Sequence, residues 1–464
     1  MSPSRFKRAA ASGFQSLCRG LPAVAVAGAM CSPIATHAQT LRSPIPLPNL
    51  PPLSGQLGIG SALREPPSSL SPQRLEDLRV VRLRTLVRAH ADVLETGPGG
   101  APIVRREILA WSPSAAGLAQ AAALGFSIAR RTALTDSDEL FVLVAPPALA
   151  TRSALNKIRR ADPGGIYDFN HVFVQSGEVG PRPGAVAAVE HGTDAELPGA
   201  KSRAPRAGLI DGGVDAGHAV FAATTLHAWG CPSGPVSSAH GTAVASLLVG
   251  RSADFHGAAP GAELFAADVF CGAPTGGSAD AIVGAMGWLL SEHVPVINVS
   301  LVGPPNGVLE QVVRTVLARG TIVVAAVGND GPAAPPSYPA SYPGVVAVTA
   351  IDRDRHVLLE AGRALHVDFA APGADLLAAE DRNALAPVRG TSFASPLVAG
   401  LLARELLAPD PSAARAAIER LEAEAAPPPP HGVAGRYGKG IVAESLAVPV
   451  PVAPDGRNST PRSF

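Results

Sequence analysis

The sequence predicts an α/β protein: a doubly wound, mostly parallel sheet with helices on both faces, preceded by a small α+β domain of ferredoxin-like pattern. From Ala207 onward, short and almost unbroken apolar runs alternate with helix-length segments. Strands apolar on both faces belong to sheets that are covered on both sides. Turn residues such as Asp211-Gly212-Gly213 and Gly328-Asn329-Asp330-Gly331 stand directly behind those runs, at the carboxyl edge where such sheets bind ligands. The order β-α-β-β-α-β over residues 107–175 gives the smaller domain its split βαβ pattern.

At the N-terminus, Arg5, Lys7, Arg8 and Arg19 precede the weakly apolar stretch 21–30, and Thr36-His37-Ala38 offers a small-x-small cleavage site. Residues 1–38 therefore read as a secretory signal peptide, while Met30 ahead of Cys31 argues against a lipoprotein signal. Residues 39–70, rich in Pro, Ser, Gly and Leu, form an extended linker. Ser71-Pro72 then reads as an N-cap with proline in the first turn. The helix behind it carries Leu75, Leu78, Val81 and Leu86 as a stripe, interleaved with Arg79, Arg82 and Arg88. That pattern fits a docking helix with a solvated basic face better than one lying on a membrane.

The α+β domain, 71–180 with its leading helix, has expected strands at 107–111, 126–132, 140–144 and 167–175. Its helices are expected from Ser112-Pro113 to about Leu124 and over 149–161. It holds no cluster of catalytic residue types, which points to a structural or regulatory role. Residues 181–206 form a linker in which Lys201, Arg203 and Arg206 make an accessible, cleavable joint. The larger domain spans 207–448, with strands at 207–210, 264–269, 294–299, 321–327 and 345–350. Helices fall near 240–250, 279–292, 307–319 and 391–407, and residues 449–464 form a Pro-rich disordered tail.

With 464 residues, 47% of them hydrophobic, the chain can build more than one core. A formal net charge of zero gives no support to a nucleic-acid partner or a polybasic membrane surface. No stretch after the N-terminus approaches the roughly 18 apolar residues of a membrane span. Cleavage near Ala38 would leave Cys231 and Cys271, either as one disulfide or as two buried thiols.

The chemistry centres on Gly390-Thr391-Ser392-Phe393-Ala394-Ser395-Pro396, which leads straight into an apolar helix pattern. A serine at a helix N-terminus sits among free backbone N–H groups that favour developing negative charge, but it needs a base and a donor for the oxyanion. His240 opens a second helix start, His240-Gly241-Thr242, where an imidazole can face a carboxylate with one nitrogen and a hydroxyl with the other. Asp211 stands at a strand's carboxyl end, and Asn329 follows the very apolar run 321–327 at the same edge. His218 and His227 lack a helix-start context and read as loop or packing residues.

Together these segments resemble the subtilisin-like (subtilase) serine proteases, whose chain order Asp, His, Ser is an established property of that family. The resemblance rests on Leu209-Ile210-Asp211-Gly212-Gly213-Val214-Asp215, His240-Gly241-Thr242-Ala243-Val244-Ala245 and the Ser392 segment. It is supported by His256-Gly257-Ala258-Ala259-Pro260-Gly261-Ala262, Ile297-Asn298-Val299-Ser300-Leu301 and Phe369-Ala370-Ala371-Pro372-Gly373, and spans about 205–446. It implies that Ser392 attacks the scissile carbonyl, His240 relays its proton, Asp211 orients the imidazole, and Asn329 with the Ser392 N–H binds the oxyanion. It further implies that Ser300, Leu301 and Val302 form an edge that pairs with an extended protein or peptide substrate, with Gly328 lining the pocket for the residue before the cut.

Two departures stand out: the family usually has glycine where Val302 stands, which narrows the pocket entrance, and Ala243 replaces a common second histidine. No cofactor is implied; structural calcium is common in the family, but no ligand-rich acidic cluster can be assigned to it. The α+β segment resembles the family's propeptide, which implies a self-inhibited precursor whose own N-terminal domain is a partner of the protease. With the signal-like residues 1–38, the expectation is an exported serine endopeptidase, secreted or in the cell envelope. The alternative is a non-catalytic binding or chaperone protein on the same scaffold; an esterase is disfavoured because Gly-x-Ser-x-Gly is absent around Ser392.

Overall fold

Ser71 caps α1 (Pro72–Ala89) by accepting the backbone N–H of Arg74, so the first described helix begins where the Ser-Pro pair places it. The computed structural model describes residues 71–446 apart from 176, 180–203, 381–382, 431 and 434. The signal-like segment, the Pro-rich linker, most of the basic joint and the C-terminal tail lie outside the described residues.

The smaller domain follows α1 as β1 (Leu94–Thr96), β2 (Pro102–Trp111), α2 (Ala115–Ala123), β3 (Ser127–Ala133), β4 (Glu139–Val144), α3 (Thr151–Ala161) and β5 (Ile166–His171). β2 lies between β5 and β4, with β3 outside β4 and every pairing antiparallel. This is the ferredoxin-like order expected from the β-α-β-β-α-β pattern. Alternation along the strands sends Ile108, Ala110, Phe141 and Leu143 into the domain's own core with α3, and Leu109, Trp111, Leu140 and Val142 the other way.

Two boundaries differ from the sequence expectation. Ser112 takes a positive φ of 39° and its N–H bonds Glu139, so the cap of α2 falls to Ser114 two residues on. The expected strand 167–175 is broken. β5 ends at His171, and the chain passes to β6 (Val174–Gln175), which pairs with a strand of the larger domain instead.

The larger domain holds a sheet of seven parallel strands. In chain order these are β8 (Arg206–Asp211), β9 (Leu226–Trp229), β10 (Glu263–Asp268), β11 (Val296–Val299), β13 (Ile322–Ala326), β14 (Val346–Ile351) and β15 (Phe369–Pro372). Across the sheet the order is β15-β14-β13-β11-β8-β10-β9. Two short strands lie outside it: β7 (Glu178–Val179) in the segment after β6, and β12 (Leu301–Val302) directly after β11. A hairpin of β16 (Leu376–Glu380) and β17 (Ala384–Arg389) follows β15.

Helices α4 (Ala239–Val249) and α7 (Thr391–Glu405) cover one face of the sheet, and α5 (Ala279–Ser291) and α6 (Gly307–Ala318) the other. A final helix, α8 (Pro411–Glu424), packs on α7's side. Strands β8, β11, β13 and β14 are buried throughout or nearly so, as a sheet covered on both faces requires. Leu109, Trp111, Leu140 and Val142 of the smaller domain share a core with α5 and α6, so the two domains are joined by apolar packing.

Polar contacts reinforce that joint. Asp280, in the first turn of α5, receives Arg130 at 2.7 Å, Asn170 at 2.8 Å and Ser278 at 2.6 Å. Burial pushes its carboxyl up, but Arg130 and these hydrogen bonds outweigh burial and hold it below the usual carboxylate range. Asn306 caps α6 with its side-chain oxygen and gives its amide N–H groups to the Phe169 carbonyl and to His171 Nδ1. Arg206, expected in an accessible joint, instead begins β8 with its guanidinium on Glu263 and on the Glu292 carbonyl.

Cys231 and Cys271 are bonded across 40 residues, linking the loops that follow β9 and β10. Closing a loop of that length contributes about 3–4 kcal/mol by chain entropy, a model-dependent figure. Replacing both cysteines by serine should therefore lower the thermal midpoint, and reductant should lower that of the native chain but leave the variant unchanged. A native chain indifferent to reductant, tested by calorimetry, would count against the bond's contribution.

Candidate active site

β8 carries Asp211 to the carboxyl edge of the sheet, fully buried, and α4 brings His240 over it. His240 Nδ1 stands 2.9 Å from Asp211 Oδ1. The same oxygen accepts the Gly212 N–H at 2.6 Å and the Gln175 side-chain amide at 2.8 Å. These donors satisfy one oxygen of the buried carboxylate and fix the face it offers to the imidazole. Ser238 caps α4 by accepting the Gly241 N–H, which sets where the helix, and so His240, begins.

Ser392 is the second residue of α7, behind Gly390 at a φ of 140°. Glycine is required there both for the backbone angle and for space: a Cβ would lie 2.7 Å from the Asn329 amide nitrogen. Asn329 follows β13, and its side-chain oxygen accepts the Thr391 N–H at 2.9 Å. Its amide nitrogen is buried without a hydrogen-bond partner among the described residues. An unmatched buried donor costs free energy, so one beside a buried serine suits an oxygen that arrives only during reaction.

Sequence reasoning missed a further contact. Pro396 lies four residues after Ser392 and has no N–H, so the Ser392 carbonyl lacks its helical donor. Ser300 supplies it: its hydroxyl donates to that carbonyl at 3.1 Å and lies 3.2 Å from the Ser395 hydroxyl. The Ser-x-x-x-Pro spacing within an expected helix was the signal, since it leaves one carbonyl in need of an outside donor. Ser300 is therefore buried under the first turn of α7, while Leu301 and Val302 form the pairing edge.

The chain's own segment after β5 runs through this site. Gln175 lies opposite Leu301 and Val174 opposite Val302 in an antiparallel pair, and Val179 and Glu178 pair with Val388 and Arg389 of β17. Phe173 gives its N–H to the Gly277 carbonyl, and its fully buried ring lies where any side chain on Gly303 would stand. Gly177 crosses the centre: a Cβ built on it would be 3.3 Å from Ser392 Cβ and 3.4 Å from His240 Nε2. A Cβ on Gly390 would lie 2.8 Å from the Gly177 Cα. Ser392 and His240 thus meet at Gly177, with Asn329 beside it across Gly390 and Asp211 behind the imidazole.

α1 reaches the same region from outside. Leu75 packs on Gly331, and Arg82 meets Asp330 at 2.7 Å, directly beyond Asn329. Burial pushes the Asp330 carboxyl up despite the nearby arginines.

His218 and His227 stand apart from this cluster, as the sequence led us to expect. His218 bonds the Ala384 carbonyl and the Val220 N–H, and His227 stacks on Phe265. Among the described residues, two groups of acidic, cysteine and histidine ligands come together. Cys231 and Cys271 are bonded to each other beside Asp268, and Asp352 in the exposed Asp352–Asp354–His356 turn accepts the N–H groups of residues 354 and 356. Neither supplies a calcium assignment.

Residues 203–440 match the model of the subtilase family, slightly more than half of the chain. The chain belongs to that family. It is 37% identical over 177 residues to M-protease of Shouchella clausii, a match covering 38% of this chain and 46% of that one. It is 31% identical over 257 residues to subtilisin DY of Bacillus licheniformis, covering 53% of this chain and 90% of the relative. The chain therefore spans about half the length of M-protease but most of subtilisin DY. Fervidolysin of Fervidobacterium pennivorans, a keratinolytic enzyme related to subtilisin, superposes with a TM-score of 0.60 at 18% identity over 78% of this subtilase and 63% of its own chain. That likeness is one of fold.

His171 gives docking of the smaller domain a pH dependence. Its Nδ1 accepts from Asn306, so it is held neutral, and burial keeps its pKa low, against the pull of Asp168 and with Arg159 adding to the lowering. Undocked, the ring titrates near its ordinary value of about 6.5. Proton uptake then favours the undocked form, so docking stability present above that pH is lost as pH falls below it. Protection factors at the amides of Phe169, His171 and residues 307–309 of the full-length Ser392→Ala chain, taken after correction for the intrinsic slowing of base-catalysed exchange, should fall between pH 7.5 and 5.5. In a His171→Asn background that fall should be absent; if it persists, another group is responsible.

Proposed function

We propose that this subtilase is an exported serine-type endopeptidase made as a self-inhibited precursor. The observation that carries the reading is the convergence on Gly177 of a serine at a helix start, a histidine held by a buried carboxylate, and an amide donor with no partner. In this reading Ser392 attacks the carbonyl carbon of the bound peptide while His240 takes its proton, and Asp211 orients and stabilises the imidazolium. The Asn329 amide and the Ser392 N–H receive the oxyanion. The C–N bond then breaks, His240 returns the proton to the departing amine, and the acyl group remains on Ser392 until water, deprotonated by His240, releases it.

The smaller domain acts as a propeptide. Its tail pairs with the Leu301–Val302 edge and with β17 as an extended substrate would, which supports a cut at the Ser176–Gly177 bond. In this reading the first cut falls at the start of the stretch of about 176–206 over which autoproteolysis is expected. Export is supported by the signal-like pattern of residues 1–38 and by the Cys231–Cys271 bond. Among the described residues, no helix is long and apolar enough to cross a membrane.

Purified wild-type chain should separate into two fragments, the larger beginning at Gly177, and should digest casein, whereas Ser392→Ala should stay whole and inert. A fluorophosphonate should label Ser392 in the processed protein. Equal size and equal inactivity of the two preparations would sink the protease reading. Asn329→Ala should lower kcat by about 10²–10³-fold with little change in KM, a magnitude already established for this kind of donor within the family.

A further inference from the structure

We infer that Glu360 and Arg389 are positioning residues: their ion pair holds the segment bearing Asn329 in register with the helix bearing Ser392. This rests on the protease reading above and extends its oxyanion site by two residues that act through Asn329.

Asn329 stands in the short run 328–331 after β13, and two backbone bonds tie that run to the loop between β14 and β15. The Gly331 N–H donates to the Glu360 carbonyl at 2.9 Å, and the Gly362 N–H donates to the Gly328 carbonyl at 2.7 Å. The approach is close, for a Cβ on Gly362 would lie 2.5 Å from the Val327 carbonyl oxygen. A shift of residues 360–362 is therefore passed to Asn329.

On its other side the run meets the start of α7. The Gly328 N–H donates to Thr391 Oγ1 at 3.0 Å, and the Thr391 N–H donates to Asn329 Oδ1 at 2.9 Å. These bonds orient the amide, but both are between neutral groups and individually weak.

Arg389 closes the circuit. It ends β17, two residues before Thr391, and its guanidinium meets the Glu360 carboxylate with two nitrogens. Nη2 donates to Oε2 at 3.1 Å, and Nε stands 2.6 Å from Oε1. A two-armed contact of this kind fixes orientation as well as distance. The carboxylate is only 5% exposed and the guanidinium 30%, so neither charge regains full hydration unless the loop moves. Segments 328–331, 360–362 and 389–391 thus form a ring, with the ion pair joining the second to the third. Leu358 and Ala361 already seat the loop in the core, so the pair is not needed to hold it there. Its contribution is geometric: an oxyanion donor helps only if it stands in place before the charge develops.

The test is a double-mutant cycle on full-length chains, each processed in trans by immobilised wild-type enzyme that is then removed. The substrate is acetyl-Phe-Val-Gln-Ala p-nitroanilide, which has no residues beyond the cut, so contacts on that side do not register. Per active site counted with a fluorophosphonate, Glu360→Gln should lower kcat about tenfold with KM within about twofold. In an Asn329→Ala background the same substitution should change kcat by less than about twofold, because the group it acts through is gone. Arg389→Gln should match Glu360→Gln, and the two together should be no worse than either alone. Where these variants do not fold, Arg389→Lys keeps the charge but loses the two-armed contact. It should give a smaller fall that also disappears in the Asn329→Ala background. A fall of equal size in both backgrounds, a change confined to KM, or no change at all overturns the inference. Failure of the protease reading looks different: the wild-type chain turns over neither the nitroanilide nor casein, and the fluorophosphonate does not label Ser392.

Discussion

Everything in the cleft is registered to the buried carboxylate of Asp211. Its position is fixed by the parallel pairing of β8 with β10 and β11, which ends those strands at a common edge. From there one oxygen gathers the Gly212 N–H, the His240 ring and the tail's Gln175. A charge without solvent is costly unless its partners are placed, so the donors around it have little freedom to be elsewhere. The same sheet edge delivers Asn329 after β13 and, through Ser300 after β11, the hydroxyl that supports the first turn of α7.

The larger domain was readable because its strands are uniformly apolar and its polar residues cluster at strand ends. Asp211, His240, Asn329 and Ser392 each stood at such a junction, and family resemblance supplied their order. What escaped was whatever depended on a partner far away in sequence. β9, β16 and β17 are short and of mixed composition, and only their neighbours in space make them regular, whereas α8, rich in Ala, Glu and Arg behind an Asp410–Pro411 cap, carried a local helix signal absent from the expectations. Arg206 looked like a cleavable basic residue because a single sequence cannot show that Glu263 lies beside it. The run 167–175 looked like one strand, since β-propensity does not mark where a chain changes sheets.

The two domains are less separate than their folds suggest. One face of the smaller domain's sheet completes the core over α5 and α6, and the first turns of both helices are satisfied in part by Asp168, Asn170 and their neighbours. The N-termini of helices carry unpaired N–H groups, so a domain that caps them stabilises the sheet's outer layer as well as covering it. α1 extends this contact to the loop bearing Asn329.

The break between β5 and β6 has a kinetic consequence. His171 belongs to one sheet and Val174 to another, with Val172 and Phe173 spanning the gap, so the acyl-side product of the proposed first cut stays tethered to a docked domain. A tethered strand rebinds at an effective concentration far above that of any free peptide. Cutting and activation are then distinct events, and the interval between them is set by the lifetime of the apolar interface under β2 and β4 rather than by the chemistry at Ser392.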